Sequence, residues 1–275
     1  PARGARECRA LASLRNVAPS ARTLEQDGEE PAVTVIVIPA RAGSKGLASK
    51  NLRRLRGAPL VEWAITAALR TPPCGIDIVV TSDDPAILAL GASAGCRTVK
   101  RPSALAQDDT PDLPVFEHVI EALKLPDDAV LVHLRPTSPF ARPDDIRLVA
   151  ELCATHGFSV RSVVPAHHHP RKMYSQGPSP TDPLTPYPFT LVPYTGGRHA
   201  ANAPRQSLEP VWAAAGYVDA VMVRTIRYAH SMESAVIAPF PVPEPWRAVD
   251  LDDEAGFIEA EAIACAQGWS PGNVE

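Results

Sequence analysis

Between residues 33 and 164 short apolar runs alternate with segments of helical period, and this alternation narrows the fold more than any other feature of the 275-residue chain. Residues 33–38 read as a β-branched strand ending at Pro39, and 59–70 as a helix with proline at its start, where a missing N–H costs nothing. Residues 76–81 read as a strand, 85–94 as a helix, and 113–125 as a helix with Val115, Val119 and Ala122 on one face. A strand at 129–134, a helix at 143–156 and a strand at 158–164 follow. Strand–helix alternation predicts right-handed crossovers and an α/β, Rossmann-like, mostly parallel sheet with helices on both faces.

The alternation stops at Pro165. Residues 166–210 are rich in Pro, Tyr and Gly with little period, and a structureless loop of that length is unusual inside a compact domain. They read as an excursion that packs on something else, such as a second subunit. Strands at 217–223 and 235–238 and a helix at 256–267 complete the pattern. Residues 1–31 mix Arg, Ala and Glu without a steady apolar period and read as a flexible leader or a linker from another domain, which leaves 32–275 as the folded unit.

Composition excludes several classes. No apolar stretch approaches the ~20 residues that span a bilayer. The five cysteines (Cys8, Cys74, Cys96, Cys153, Cys265) are scattered, which argues against a disulfide framework or a structural zinc site and for a reducing cytoplasm. Net charge is −4, so the six cations from Arg41 to Arg56 (with Lys45, Lys50, Arg53 and Arg54), uninterrupted by an acid, are a local feature.

A buried strand that opens into a cationic loop can hold a polyphosphate, with Gly43 and Gly46 admitting the oxygens to the backbone. The loop is neither a Walker A loop nor a dinucleotide fingerprint. A solvated basic loop or a nucleic-acid patch is the blander reading. Ligands of open parallel sheets sit outside the carboxyl ends of the strands. The basic loop, Asp83, and Arg135 with Thr137 all follow strands, and Asp250 and Asp252 precede the last helix. Asp250 and Asp252 fall on one side of an extended segment, which suits a divalent cation, though a D-x-D can equally cap a helix. Asp84-Pro85 looks like a helix cap, and Asn51 could be a turn residue. His167, His168 and His169 are consecutive and cannot converge on one ion.

The string P-A-R-A-G-S-K-G-L-x-x-K-N-L-R-x-L-x-G-x-P-L from Pro39 to Leu60 resembles the N-terminal signature of the cytidylyltransferases that make CMP-sialic acid and related CMP-activated acids. VVTSDD, RPSALAQDDT, LRPTSPF, HHPRK, PRQ, GYVDAV and VDLD follow in the family's order, so that the resemblance covers about residues 33–267. It implies a nucleotide-diphospho-sugar transferase type of fold and transfer of CMP from CTP to an acidic acceptor, with release of pyrophosphate. It further implies Arg41, Lys45 and Lys50 as catalytic phosphate-handling residues. Ala40, Gly43, Ser44, Asn51, Asp83 and Arg101 join Arg41 on the nucleotide, although Arg101 could be a turn arginine and Asp83 a metal ligand.

Arg135, Thr137, Ser138, His168, Lys172 and Arg205 fall on the acceptor side, and Asp250 and Asp252 on Mg2+. No general base is identifiable. The expected partners are CTP, an acidic small molecule and a second copy of the chain across 166–210, with no nucleic acid and no membrane. The acceptor could be a nonulosonic acid, Kdo or a small phosphonate, and a nucleotide-binding regulatory domain without turnover is the alternative of another class. The chain departs from sialate-activating relatives at Ala213 and Ala215, where those carry Arg and Asn.

Overall fold

The computed structural model describes residues 33–43, 49–72, 76–178, 189–195 and 202–274. They fall into two compact units, one of residues up to Val163 together with Ala215 onwards, the other Val164–Ala214.

The first unit is built on a sheet with strands in the order β7-β11-β6-β1-β4-β5, and β12 also pairs with β7. Its members are β1 (Thr34–Pro39), β4 (Ile76–Ser82), β5 (Arg97–Lys100), β6 (Val130–His133), β7 (Ser159–Pro165), β11 (Asp219–Met222) and β12 (Ile237–Pro241). A two-stranded ribbon, β2 (Arg54–Leu55) with β3 (Ala58–Pro59), follows β1. β1, β4, β5 and β6 are parallel neighbours, and β12 is parallel to β7. β11 runs antiparallel to both β6 and β7. The helices are α1 (Leu60–Arg70), α2 (Pro85–Ser93), α3 (Asp112–Leu123), α4 (Pro143–His156), α5 (Val223–Ala229) and α6 (Glu254–Gln267).

Alternation along the strands divides the core. Val35 and Val37 of β1, Val79, Val99, Leu131 and Val221 pack against Phe116, Val119 and Ile120 of α3 and Val223 and Ile226 of α5. α1 and α4 contact β1 and β6 respectively. The buried stripe of α3 is Val115, Phe116, Val119 and Ile120, and Ala122 of the expected face is exposed. A second cluster joins Leu55, Leu60, Trp63 and Phe140 to Val249, Leu251 and the Phe257, Ala260 and Ala264 face of α6.

In the second unit β8 (Tyr174–Gln176) and β9 (Leu191–Pro193) form an antiparallel pair, and β10 (Trp212–Ala214) ends it. The excursion read from 166–210 thus has local structure of its own. Ala166 N donates to Val211 O at 3.0 Å, and His169 Nε2 lies 3.1 Å from Glu209 O. Met173, Tyr174, Phe189, Leu191, Val192, Tyr194 and Trp212 are exposed, Tyr194 at 65%. Tyr187 lies outside the described residues.

Candidate active site

At the end of β1 the chain turns immediately. Ala40 is buried, and its N–H still bonds to Thr81 O of β4 at 3.0 Å. The next two residues are held by side chains from elsewhere. Asn51 Nδ2 donates to Arg41 O at 2.9 Å, and Ala42 N donates to Asp83 Oδ1 at 2.9 Å. Asn51 and Asp83 therefore set the start of the loop, and Gly43 beyond them is exposed. Ser44, Lys45 and Gly46 lie outside the described residues. Asp84 takes the capping role expected of it, accepting from Ala86 N at 2.7 Å with Pro85 as the first helical residue.

The cations separate into two groups. Arg53 grips Glu254 with both amino groups, at 2.6 and 2.7 Å, and lies over the Phe257 ring at 3.8 Å. Arg56 N donates to Glu261, also on α6. These residues fasten the ribbon to the last helix. Arg41 and Lys50 instead reach acids at the carboxyl edge, Arg41 to Asp108 at 2.5 Å and Lys50 to Asp252 at 2.7 Å.

Burial alternates along Val249-Asp250-Leu251-Asp252, with Val249 and Leu251 in the core and Asp250 and Asp252 exposed. Gly256 of α6 is required behind it, since a Cβ there would collide with Asp250 O. Leu251 N donates to Thr137 O at 3.2 Å, which ties this segment to the loop after β6. The two carboxyl groups interact directly. Partial desolvation and then Asp252, against the pull of Lys50, hold Asp250 above the ordinary carboxylate range, and Thr137 hydrogen-bonds to it. Asp252 is held below that range, first by its hydrogen bond from Lys50.

Arg101 is buried. Its Nη2 donates to Thr81 O at 3.0 Å, its Nε has no hydrogen-bond partner among the described residues, and burial lowers its pKa. Arg135 is forked between Asp219, 2.9 Å from Nη1, and Asp112, 3.2 Å from Nη2. Ser138 is buried and donates to Gly216 O at 3.0 Å, so it braces the loop.

Arg41, Lys50, Asn51, Asp83, Arg101, Arg135, Thr137, Ser138, Asp250 and Asp252 all belong to the first unit, on the loops at the carboxyl ends of β1, β4, β5 and β6 and the segment before α6. His168, Lys172 and Arg205 belong to the second. There Arg205 Nη2 donates to His167 O at 3.0 Å, His168 Nε2 lies 3.0 Å from His167 Nδ1, and Lys172 N donates to His169 O at 2.8 Å. Asp108, Asp112 and Asp219, the acids that hold Arg41 and Arg135, are not singled out by motif position. Asp219 did leave a signal, a lone charge inside the apolar run 217–223. His133 left a similar one in 129–134 and is buried.

A cationic loop after the first strand is thus tied to a carboxylate pair at the same edge of a mostly parallel sheet. The chain belongs to the cytidylyltransferase family, whose model matches residues 35–175, just over half of its length. It is 41% identical over 150 residues to the CMP-N,N'-diacetyllegionaminic acid synthase of Legionella pneumophila, covering 51% of this chain and 63% of that one. It is 29% identical over 166 residues to an N-acylneuraminate cytidylyltransferase of Oncorhynchus mykiss, covering 60% of this chain and 38% of the relative. These matches thus span less than two thirds of either relative's length. The fold resembles that of a CMP:2-keto-3-deoxy-manno-octonic acid synthetase solved with CTP, with TM-score 0.60, 18% identity, and coverage of 86% of this chain and 100% of that one.

Proposed function

We propose that the chain transfers CMP from CTP to an acidic sugar acceptor. The acceptor's anomeric hydroxyl oxygen bonds to the α-phosphorus, the bond from that phosphorus to the bridging oxygen breaks, and pyrophosphate leaves with the electron pair while the hydroxyl gives up its proton. The observation that carries this reading is the joining of the basic loop to Asp250 and Asp252 through Lys50. It brings cations for phosphate oxygens and anions for a metal to one edge of the sheet.

In this reading Arg41 and Lys50, with Lys45, neutralise the triphosphate, and Arg101 contributes to the base side. Asp250 and Asp252 would hold Mg2+. They suit a hard divalent cation, because two carboxyl groups in contact repel until a cation joins them, and Mg2+ commonly takes one or two carboxylates plus substrate phosphates. When bound, the ion supplies charge neutralisation at the phosphates. Arg135, Thr137, His168, Lys172 and Arg205 belong to the acceptor side. Two copies of the chain are proposed to pair through the exposed apolar residues of 166–210 and Trp212. The cytoplasm is the proposed location, supported by the use of CTP and by free Cys96, Cys153 and Cys265 among the described residues. No helix among those residues is long and apolar enough to cross a membrane.

Ala213 and Ala215 favour an acceptor other than N-acetylneuraminate, since neither side chain can bond a carboxylate or an acyl amide. Nonulosonic acids of other substitution, including the diacetylated legionaminic acid named for the Legionella pneumophila relative, and smaller acids such as Kdo or a phosphonate, then become the candidates. Pyrophosphate release measured with CTP, Mg2+ and a panel of these acids tests the proposal. Release with one of them and poor use of N-acetylneuraminate is expected. Tight CTP binding with no release for any acid would favour a regulatory nucleotide-binding domain instead.

A further inference from the structure

Asp219 is the one charged residue in β11, and it is only 6% exposed. Its carboxylate accepts from Arg135 Nη1 at 2.9 Å, Arg161 Nη1 at 2.8 Å, and the Ser162 N–H and hydroxyl at 2.9 and 3.0 Å. A buried carboxylate satisfied by four donors is rigid, because losing any donor leaves an uncompensated charge away from water. Arg161 is held from its far side by Glu233 at 2.7 Å. Arg135 is therefore anchored at one amino group by a fixed acid.

Its other amino group meets a different kind of partner. Asp112, at the start of α3, is 3.2 Å from Nη2 and its side chain is 47% exposed. Exposed ion pairs hold weakly, and buried, multiply bonded ones hold their geometry. An anion that approaches Arg135 from the carboxyl edge of the sheet competes with Asp112 and not with Asp219.

We propose that Asp219 is a positioning residue, fixing the Arg135 guanidinium so that its outward edge receives the acid group of the acceptor in place of Asp112. This rests on the function proposed above, which makes Arg135 the acceptor-side cation. Asp219 touches no substrate and acts through Arg135, in concert with Arg161.

The test is a double-mutant cycle with a readout that needs no acceptor. Asp219→Asn keeps the shape and removes the charge. It should raise the acceptor KM by ~10-fold or more, the size of a lost charge-assisted hydrogen bond, and leave the CTP KM within about two-fold. In an Arg135→Gln background the same change should add nothing to the acceptor KM. Equal rises in both KM values, or effects that multiply in the double variant, overturn the proposal. Asp112→Asn should not raise the acceptor KM, and a rise would overturn the exchange of that carboxylate for the acceptor's. In 15N-arginine-labelled protein the two Nη resonances of Arg135, assigned by their loss in Arg135→Gln, should be distinct in the parent and merged in Asp219→Asn. Unchanged Nη resonances overturn the proposal even if no acid supports turnover, whereas kinetic silence with merged resonances counts against the proposed function alone. Should Asp219→Asn fail to fold by circular dichroism, Asp219→Glu, which moves the charge by one methylene, goes through the same measurements with the same expectations.

Discussion

Replacing His133 with leucine should flatten the acid limb of the stability profile. His133 ends β6 fully buried, with its ring 4.8 Å from that of Phe116 and no hydrogen-bond partner on either nitrogen among the described residues. Burial first, and then Arg135, Arg161 and Arg101, hold its pKa well below the ordinary 6.5. The carboxylate facing it, Asp112, is 3.7 Å from Nδ1 and about half exposed. In the unfolded chain the imidazole takes up a proton below its ordinary value, and in the folded chain it stays neutral. The unfolded state thus binds more protons, so stability falls as pH drops below 6.5 and keeps falling until the folded pKa is reached. At about 1.4 kcal/mol per pH unit, the loss from this one residue is ~2 kcal/mol at pH 5 relative to pH 8. The other histidines and the carboxylates contribute to both proteins and cancel in the comparison. Urea unfolding of the parent and His133→Leu at about pH 8 and pH 5 reads the difference. The variant should be at least as stable as the parent at pH 8, since an unpaired buried polar ring is replaced by an apolar chain. It should gain a further ~2 kcal/mol over the parent at pH 5. A parent-to-variant difference that is the same at both pH values would refute the assignment of a neutral, unpartnered imidazole.

Asp250→Ala, an exposed change, should leave the unfolding midpoint nearly unmoved and cut pyrophosphate release by at least ~10²-fold at saturating Mg2+, while full activity would remove Asp250 from the proposed metal site. Calorimetric titration with Mg2+ should rank CTP above ATP and GTP, and equal affinities would undo the base-side role of Arg101. Light scattering at micromolar concentration should give twice the chain mass of 29.4 kDa, and a monomer mass would contradict pairing through the second unit.

The parts of the fold legible in the sequence are those in which one segment carries its own signal. β1, α1, α4 and the cap at Asp84-Pro85 are of this kind, each a periodic run with its stop or start beside it. The alternation of Val249 and Leu251 with two acids likewise foretells its in-and-out geometry. Other elements depend on neighbours. β5 has one buried residue, Val99, and no period to read. The apolar run at 217–223 divides between β11 and α5, because a short apolar stretch does not declare its type. The antiparallel direction of β11 is a property of the sheet and leaves no mark in its residues. In the site, motif positions named the cations, but their acids come from 67 residues away for Arg41 and 84 for Arg135, and only the fold brings them together.

The ties between the first loop and the last helix also set an order of events during synthesis. Lys50 meets Asp252 across 202 positions, and Arg53 meets Glu254 across 201. The basic loop leaves the ribosome about 200 residues ahead of the acids that fasten it. Until then its cations have no α6 to hold them, and neither does the apolar surface of Leu55, Leu60 and Trp63 that α6 will cover. At ~5–20 residues per second that interval lasts ~10–40 s, during which the nascent sheet carries a sticky, positively charged face. Truncation just before Asp250 should therefore remove a carboxylate pair from the site and also leave a chain that associates with itself or with polyanions.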